Sequence, residues 1–195
     1  RGRLMKEAGS KFPGGMAAIL GLDNAVLEQV CREASRTGVV CIANYNSPGQ
    51  TVISGENTAL GEAMQLALEA GAKRAIRLAV SIASHSPLMS QAARLFGGAI
   101  ERCKIGDAEV PLLANVSAEP VSAAAAIKME LAEQLCGAVR WQQSIERMVE
   151  NGTTRFVEVG PGQVLAGLIR RIDRRVQIAG VGDIHGLESC KAIWR

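Results

Sequence analysis

The sequence predicts an α/β protein, and three observations carry that prediction. Residues 16 to 83 alternate strand-like and helix-like apolar patterns in the order β-α-β-β-α-β. Beyond them, apolar segments of strand and helix length again take turns, the rhythm of a parallel sheet covered by helices. Hydrophobic residues make up 48 % of the chain and charged residues 21 %, a globular balance.

The elements read in order as follows. "RGRLMKEAGSKFPGG" is an amphipathic helix, expected to end at Gly9 and a Pro13-Gly14-Gly15 loop. It opens without methionine and without a signal or transit pattern, and a helix starting in mid-turn implies missing upstream residues. "MAAILGL" has strand length. Asp23 is placed to cap a helix whose Val26, Leu27, Val30, Cys31 and Ala34 share a face and which Gly38 ends. "VVCIANYN" and "QTVISG" are strand runs joined by the turn residues "NSPG", so residues 39 to 55 form a hairpin. Leu60, Ala63, Met64, Ala67 and Leu68 then repeat at helical spacing before Gly71. Ile76, Leu78, Val80 and Ile82 alternate as in a half-buried strand. The order β-α-β-β-α-β is that of a split βαβ, or ferredoxin-like, module.

Ser86 and Pro87 suit the cap and first position of a helix running to about Cys103. "VPLLANVS" reads as a buried strand, and residues 121 to 150 as one or two helices. "RFVEVGPGQVLAGLIRRI" is a strand, a Gly-Pro-Gly turn and a helix; "VQIAGVG" is a strand and "HGLESCKAIWR" a last helix. Residues 1 to 12 and 84 to 195 are expected to form one subdomain, with residues 13 to 83 inserted as a smaller one.

Composition excludes several function classes. A net charge of +3 and an aromatic content of 3 % supply neither the field nor the stacking surface of a nucleic-acid binder. No apolar run has the length of a membrane span. Five cysteines, odd in number and without a C-x-x-C pair, argue against a disulfide framework and against a zinc site. Reduced thiols in a cytoplasm fit better, and no metal or dedicated cofactor is expected.

His85, in "SIASHSPLM", falls at the carboxyl end of the last strand of the module, where open α/β sheets bind ligands. It reads either as a histidine satisfied by a backbone carbonyl or as a general base, kept neutral by the positive end of the helix after Pro87. Cys41 and Cys136 are nucleophiles by element, but both sit in apolar runs that suit the core. "YNSPGQTVISG" is equally a plain hairpin or a ligand loop offering the amides of Asn44 and Asn46. "VEVGPGQVL" could turn backbone N–H groups toward an anion, but it lacks the third glycine and the lysine of a phosphate loop. Arg170, Arg171, Arg174 and Arg175 form a basic helix end, a solvated face or a docking site for an acidic partner.

Taken together, "RGRLM", "GGMAAILGL", "NYNSPGQTVISG", "AVSIASHSPLM", "EQLCGAVRW" and "VEVGPGQVLAGLIRR" resemble the bacterial malonyl-CoA:acyl-carrier-protein transacylase family, in order and over nearly the whole chain. The resemblance implies a large α/β-hydrolase-like subdomain with a ferredoxin-like one inserted. It implies transfer of a malonyl group from coenzyme A to a serine, then to the phosphopantetheine thiol of acyl carrier protein in fatty acid biosynthesis. It gives His85 the role of catalytic base, and Gln134 that of the residue whose main-chain carbonyl orients it. Arg1 is matched to the arginine that binds the malonyl carboxylate, and Asn46, with Asn44 less securely, to an active-site asparagine. The family's G-H-S-x-G elbow does not occur in these 195 residues. The chain is therefore expected to be an incomplete enzyme that lacks its nucleophile.

Two other readings remain open at the level of sequence. One is a related acyl-CoA:carrier-protein transferase, as in polyketide synthesis; the other is a non-catalytic ligand-binding α/β module.

Overall fold

A four-stranded sheet forms where the apolar alternation is most regular. In the computed structural model, which describes residues 1–193, helix α1 (Gly2–Lys11) leads into strand β1 (Gly14–Leu20). Helix α2 (Asn24–Ala34), strands β2 (Val40–Ser47) and β3 (Gln50–Glu56), helix α3 (Asn57–Glu69) and strand β4 (Arg74–Arg77) follow. The strands lie in the order β2-β3-β1-β4 and every pair is antiparallel, the ferredoxin-like arrangement. The chain divides into two compact units, Arg1–Trp141 and Gln142–Arg195.

In the first unit, local chemistry starts and stops the elements. The carboxylate of Asp23 accepts the Ala25 N–H at 2.8 Å and caps α2. Leu27, Val30, Cys31 and Ala34 of α2 are buried with Ala59, Leu60, Ala63 and Ala67 of α3 against Ile19 and Ile53 of the sheet. Val26 and Leu68, at the edges of the expected faces, are exposed. The hairpin turn is Pro48-Gly49, closed by the Ser47–Gln50 pair, with Gly49 at φ +70°, where a side chain would be strained. The sheet's other face carries Met16, Ala43 and Val52.

Three expectations change here. Gly14 and Gly15 belong to β1 and not to a loop, because β3 passes too close for a side chain: a Cβ on Gly14 would lie 2.5 Å from the Gly55 oxygen. Gly9 does not end α1; it lets Ile82 pack on the helix, where a Cβ would meet Ile82 Cγ1 at 2.8 Å. The strand expected through Ile82 stops at Arg77, with one further bond from Leu78 N–H to the Met16 oxygen. β1 itself runs two residues further, through Gly15 and Gly14, without a partner from β4.

After β4 the chain makes a single 3-10 turn (Pro87–Met89) and then helix α4 (Ser90–Glu101). Ala8, Ala83, Leu88, Met89, Ala92 and Leu135 form a second core cluster. "VPLLANVS" is not a buried strand. Only β5 (Leu112–Leu113) pairs, with β6 (Pro120–Val121), and both Val110 and Leu112 are exposed. Helix α5 (Ala124–Glu133) ends the unit's regular structure apart from the first residue of helix α6 (Trp141–Glu150).

The second unit holds a parallel βαβ step. Strand β7 (Arg155–Val159) pairs with β8 (Gln177–Val181) across helix α7 (Val164–Ile172). Ala166, Leu168 and Ile169 of α7 and Ala179 of β8 are buried. Helix α8 (Ile184–Ile193) follows, and the last two residues of the helix expected to reach Arg195 lie outside the described residues. No helix among the described residues is long and apolar enough to cross a membrane.

Candidate active site

His85 sits not at a strand end but in the turn between β4 and the 3-10 turn, with φ +59°. That left-handed backbone is uncommon without glycine and persists where the surroundings over-determine it. They do so here. The His85 N–H donates to the Leu135 oxygen at 3.0 Å, and the Ser86 hydroxyl donates to the Ala83 oxygen at 2.6 Å. The Cys41 thiol points at the His85 carbonyl, 3.7 Å away.

The ring is half-buried, and its Nδ1 lies 2.8 Å from the Gln134 oxygen and 3.1 Å from the Gly137 oxygen. A carbonyl can only accept, so Nδ1 carries the proton and Nε2 keeps its lone pair. Burial lowers the imidazole pKa below its ordinary value; the two carbonyl contacts oppose this, and the positive charge of Arg1 adds to it. Desolvation, rather than a helix terminus, is therefore the main reason the ring stays neutral.

Gln134 caps the end of α5 and serves with both its main chain and its side chain. While its carbonyl holds His85, its side-chain oxygen accepts from Arg1 Nη1 at 2.5 Å. Its amide nitrogen donates to the Asn115 side-chain oxygen at 2.6 Å. Arg1, Gln134 and His85 are thus brought together. Asn44 and Asn46 lie on β2, in a stretch where the pairing with β3 slips twice, between Ile42 and Asn44 and between Tyr45 and Ser47. The segment after α5 bonds to this irregular strand: Tyr45 N–H to Val139 oxygen at 2.9 Å and Val139 N–H to Ala43 oxygen at 2.8 Å. Among the described residues no hydrogen bond links the side chain of Asn44 or Asn46 to Arg1, Gln134 or His85. An apolar groove of about 580 Å³ between α4 and α5 reaches Cys136 and Gly137.

The other candidates carry no chemistry of this kind. Burial pushes the Cys41 thiol up to about 11, and burial raises Cys136 as well, so neither is a thiolate at neutral pH. Two of the N–H groups after the Gly-Pro-Gly turn are already occupied: Glu158 accepts from Leu165 at 3.1 Å and from Ala166 at 2.8 Å. At the basic end of α7, Arg175 is paired with Asp173 at 2.6 Å. No group of three His, Cys, Asp or Glu side chains among the described residues could hold a metal ion.

The pattern of the acyl transferase domain family matches residues 1–185, which hold all of these groups. The chain belongs to that family. Within the acyl transferase domain family it is 44 % identical over 189 residues to the malonyl CoA-acyl carrier protein transacylase of Bacillus subtilis, covering 96 % of this chain and 60 % of that one. The malonyl-CoA:acyl carrier protein transacylase of Xanthomonas oryzae pv. oryzae superposes with a TM-score of 0.95 at 39 % identity, over 99 % of this chain and 62 % of that one. A malonyl-transacylase solved in complex with its type II PKS acyl-carrier protein gives 0.93 at 39 % identity, over 96 % and 61 %. The chain thus spans about 60 % of the length of the curated relatives it resembles.

Two groups of this constellation escaped the reading of the sequence. The Gly137 carbonyl offers no signal, since any residue carries one. Asn115 lies inside "LLANVS", whose apolar neighbours suggested only a strand.

Proposed function

We propose that this chain supplies the base and the carboxylate anchor of a malonyl-CoA:acyl-carrier-protein transacylase. The observation that carries the reading is the Nδ1 contact of His85 with the Gln134 carbonyl, with Arg1 bound to the same glutamine. The nucleophile is a serine in the remainder of a family-length protein. Nε2 of His85 takes the serine hydroxyl proton as the oxygen attacks the thioester carbonyl of malonyl-CoA. The C–S bond breaks, and the imidazolium returns that proton to the departing coenzyme A thiol. In the second half, Nε2 takes the proton of the carrier's phosphopantetheine thiol, the sulfur attacks the seryl ester, and the serine oxygen recovers the proton.

Arg1 meets the free carboxylate of the malonyl group. An arginine is always charged and its planar donors match a carboxylate, so it favours malonyl over acetyl. A charge-assisted contact of this kind is worth about 1.5 to 3 kcal/mol, roughly a ten- to hundredfold preference. Asn46, with Asn44, lines the substrate side from β2. Residues 13 to 83 act as a small subdomain inserted between residues 1 to 12 and 84 to 195 of a larger one. The likeness to a transacylase bound to its carrier protein supports acyl carrier protein as the acceptor; the cytoplasmic setting rests on the unpaired cysteines alone.

The test is mass spectrometry of the full-length protein after brief exposure to malonyl-CoA, then to holo acyl carrier protein. A malonyl ester on one serine that passes to the carrier thiol is expected. A protein that remains unacylated would end this reading and leave a ligand-binding module.

A further inference from the structure

The side chain of Gln134 stands between a cation and an amide, and only one orientation of its own amide suits both. Arg1 can only donate, so Gln134 must turn its oxygen toward the guanidinium, as it does at 2.5 Å. The amide NH₂ then faces the other way, where it finds the Asn115 oxygen at 2.6 Å. The main chain of Asn115 is itself held from both sides. Its N–H donates to the Glu130 carboxylate at 2.7 Å, and its carbonyl accepts the Arg140 N–H at 2.7 Å. A flipped Gln134 amide would set donor against donor at Arg1 and leave its oxygen facing the Asn115 oxygen. With its oxygen toward Gln134, Asn115 supports the orientation that holds Arg1, and leaves the remaining donors of the guanidinium for a ligand.

We infer that Asn115, acting through the Gln134 side chain, is a positioning residue that sets the preference for acyl groups bearing a free carboxylate. The inference rests on the transacylase reading above. It separates two duties of Gln134: the main chain serves the base, and the side chain serves the anchor. Loosening the anchor leaves the ring's hydrogen bonds in place, because His85 touches the main-chain oxygens of Gln134 and Gly137 and not the Gln134 side chain; only the charge of Arg1 links base to anchor.

The experiment measures kcat/KM for malonyl-CoA and for acetyl-CoA in the full-length enzyme, with the wild type as reference. In Asn115→Ala the malonyl-to-acetyl ratio should fall about tenfold, chiefly through KM for malonyl-CoA. Asn115→Asp keeps an acceptor oxygen for the Gln134 amide and should restore most of the ratio. Gln134→Met removes both side-chain contacts but keeps the carbonyl, so the ratio should fall while the acid limb of the pH profile moves up only slightly, Arg1 being the smallest influence on the ring. This second variant also covers the case in which Asn115→Ala does not fold. A ratio unchanged in Asn115→Ala and Gln134→Met, or equal losses for both substrates, would overturn the inference and leave the transacylase reading standing. A wild type that forms no malonyl-enzyme would sink both.

Discussion

Nδ1 of His85 and the main-chain oxygen of Gln134 are 49 positions apart in sequence and 2.8 Å apart in space. The partner is a peptide oxygen, so it orients the ring as the third member of a triad does. It carries no full charge, however, and stabilises an imidazolium less than a carboxylate would. A base held this way gives up its proton readily, which suits a reaction in which the same nitrogen must accept and return a proton twice.

Replacing the ring tests the base without disturbing the turn. Asparagine tolerates the left-handed backbone that His85 occupies at φ +59°, whereas alanine would add strain to lost chemistry. His85→Asn in the full-length enzyme should lower malonyl transfer by about 10² to 10⁴ with little change in melting temperature. Stopped assays of carrier acylation measure the first, and calorimetry the second. Full activity in this variant would remove His85 from the mechanism.

The pH dependence follows from the burial of that ring. Its folded pKa lies below the ordinary value of 6.5, so the unfolded chain binds the proton more readily. The ring's contribution to stability is complete above the unfolded value. It is lost as pH falls from there through the lower folded value. The same sign places the acid limb of kcat/KM below pH 6.5. An imidazole titration followed by NMR should give the matching midpoint, and a midpoint above the unfolded value would contradict the geometry.

Much of the fold was legible because its signals are local. The Asp23 cap, the Pro48-Gly49 turn and the helical spacing of Leu27, Val30 and Ala34 each act within a few residues, and the structure has all three. The failures share a cause. Gly14, expected in a loop, sits in a strand because of how close the Gly55 backbone comes, and no periodicity records that. His85 adopts a turn through bonds to Leu135 and Gln134, which belong to a distant segment. Only the resemblance to a family pointed at Gln134, and no sequence signal pointed at Asn115.

The close strand approach makes a strong stability prediction. A Cβ on Gly55 would stand 2.2 Å from the Val39 oxygen and 2.7 Å from the Val40 Cα, both backbone atoms that cannot rotate away. Gly55→Ala should therefore destabilise the fold by about 2 kcal/mol or more. Gly61→Ala, in α3 with open space around its Cβ position, should be neutral or slightly stabilising. Urea denaturation of the two variants side by side measures the contrast, and equal midpoints would mean the strands can separate at little cost.

The start of α7 separates a structural from a ligand-binding turn. Glu158 accepts the N–H groups of Leu165 and Ala166, so the helix terminus already has an anion supplied by its own chain. Glu158→Ala should cost about 1 kcal/mol, read from the urea midpoint. Inorganic phosphate should leave the wild-type midpoint where it is, because the site it would need is filled. In Glu158→Ala the two N–H groups face solvent, and phosphate should recover part of the loss. Stabilisation of the wild type by phosphate, without effect in the variant, would instead mean that the Gly-Pro-Gly turn binds anions with Glu158 in place.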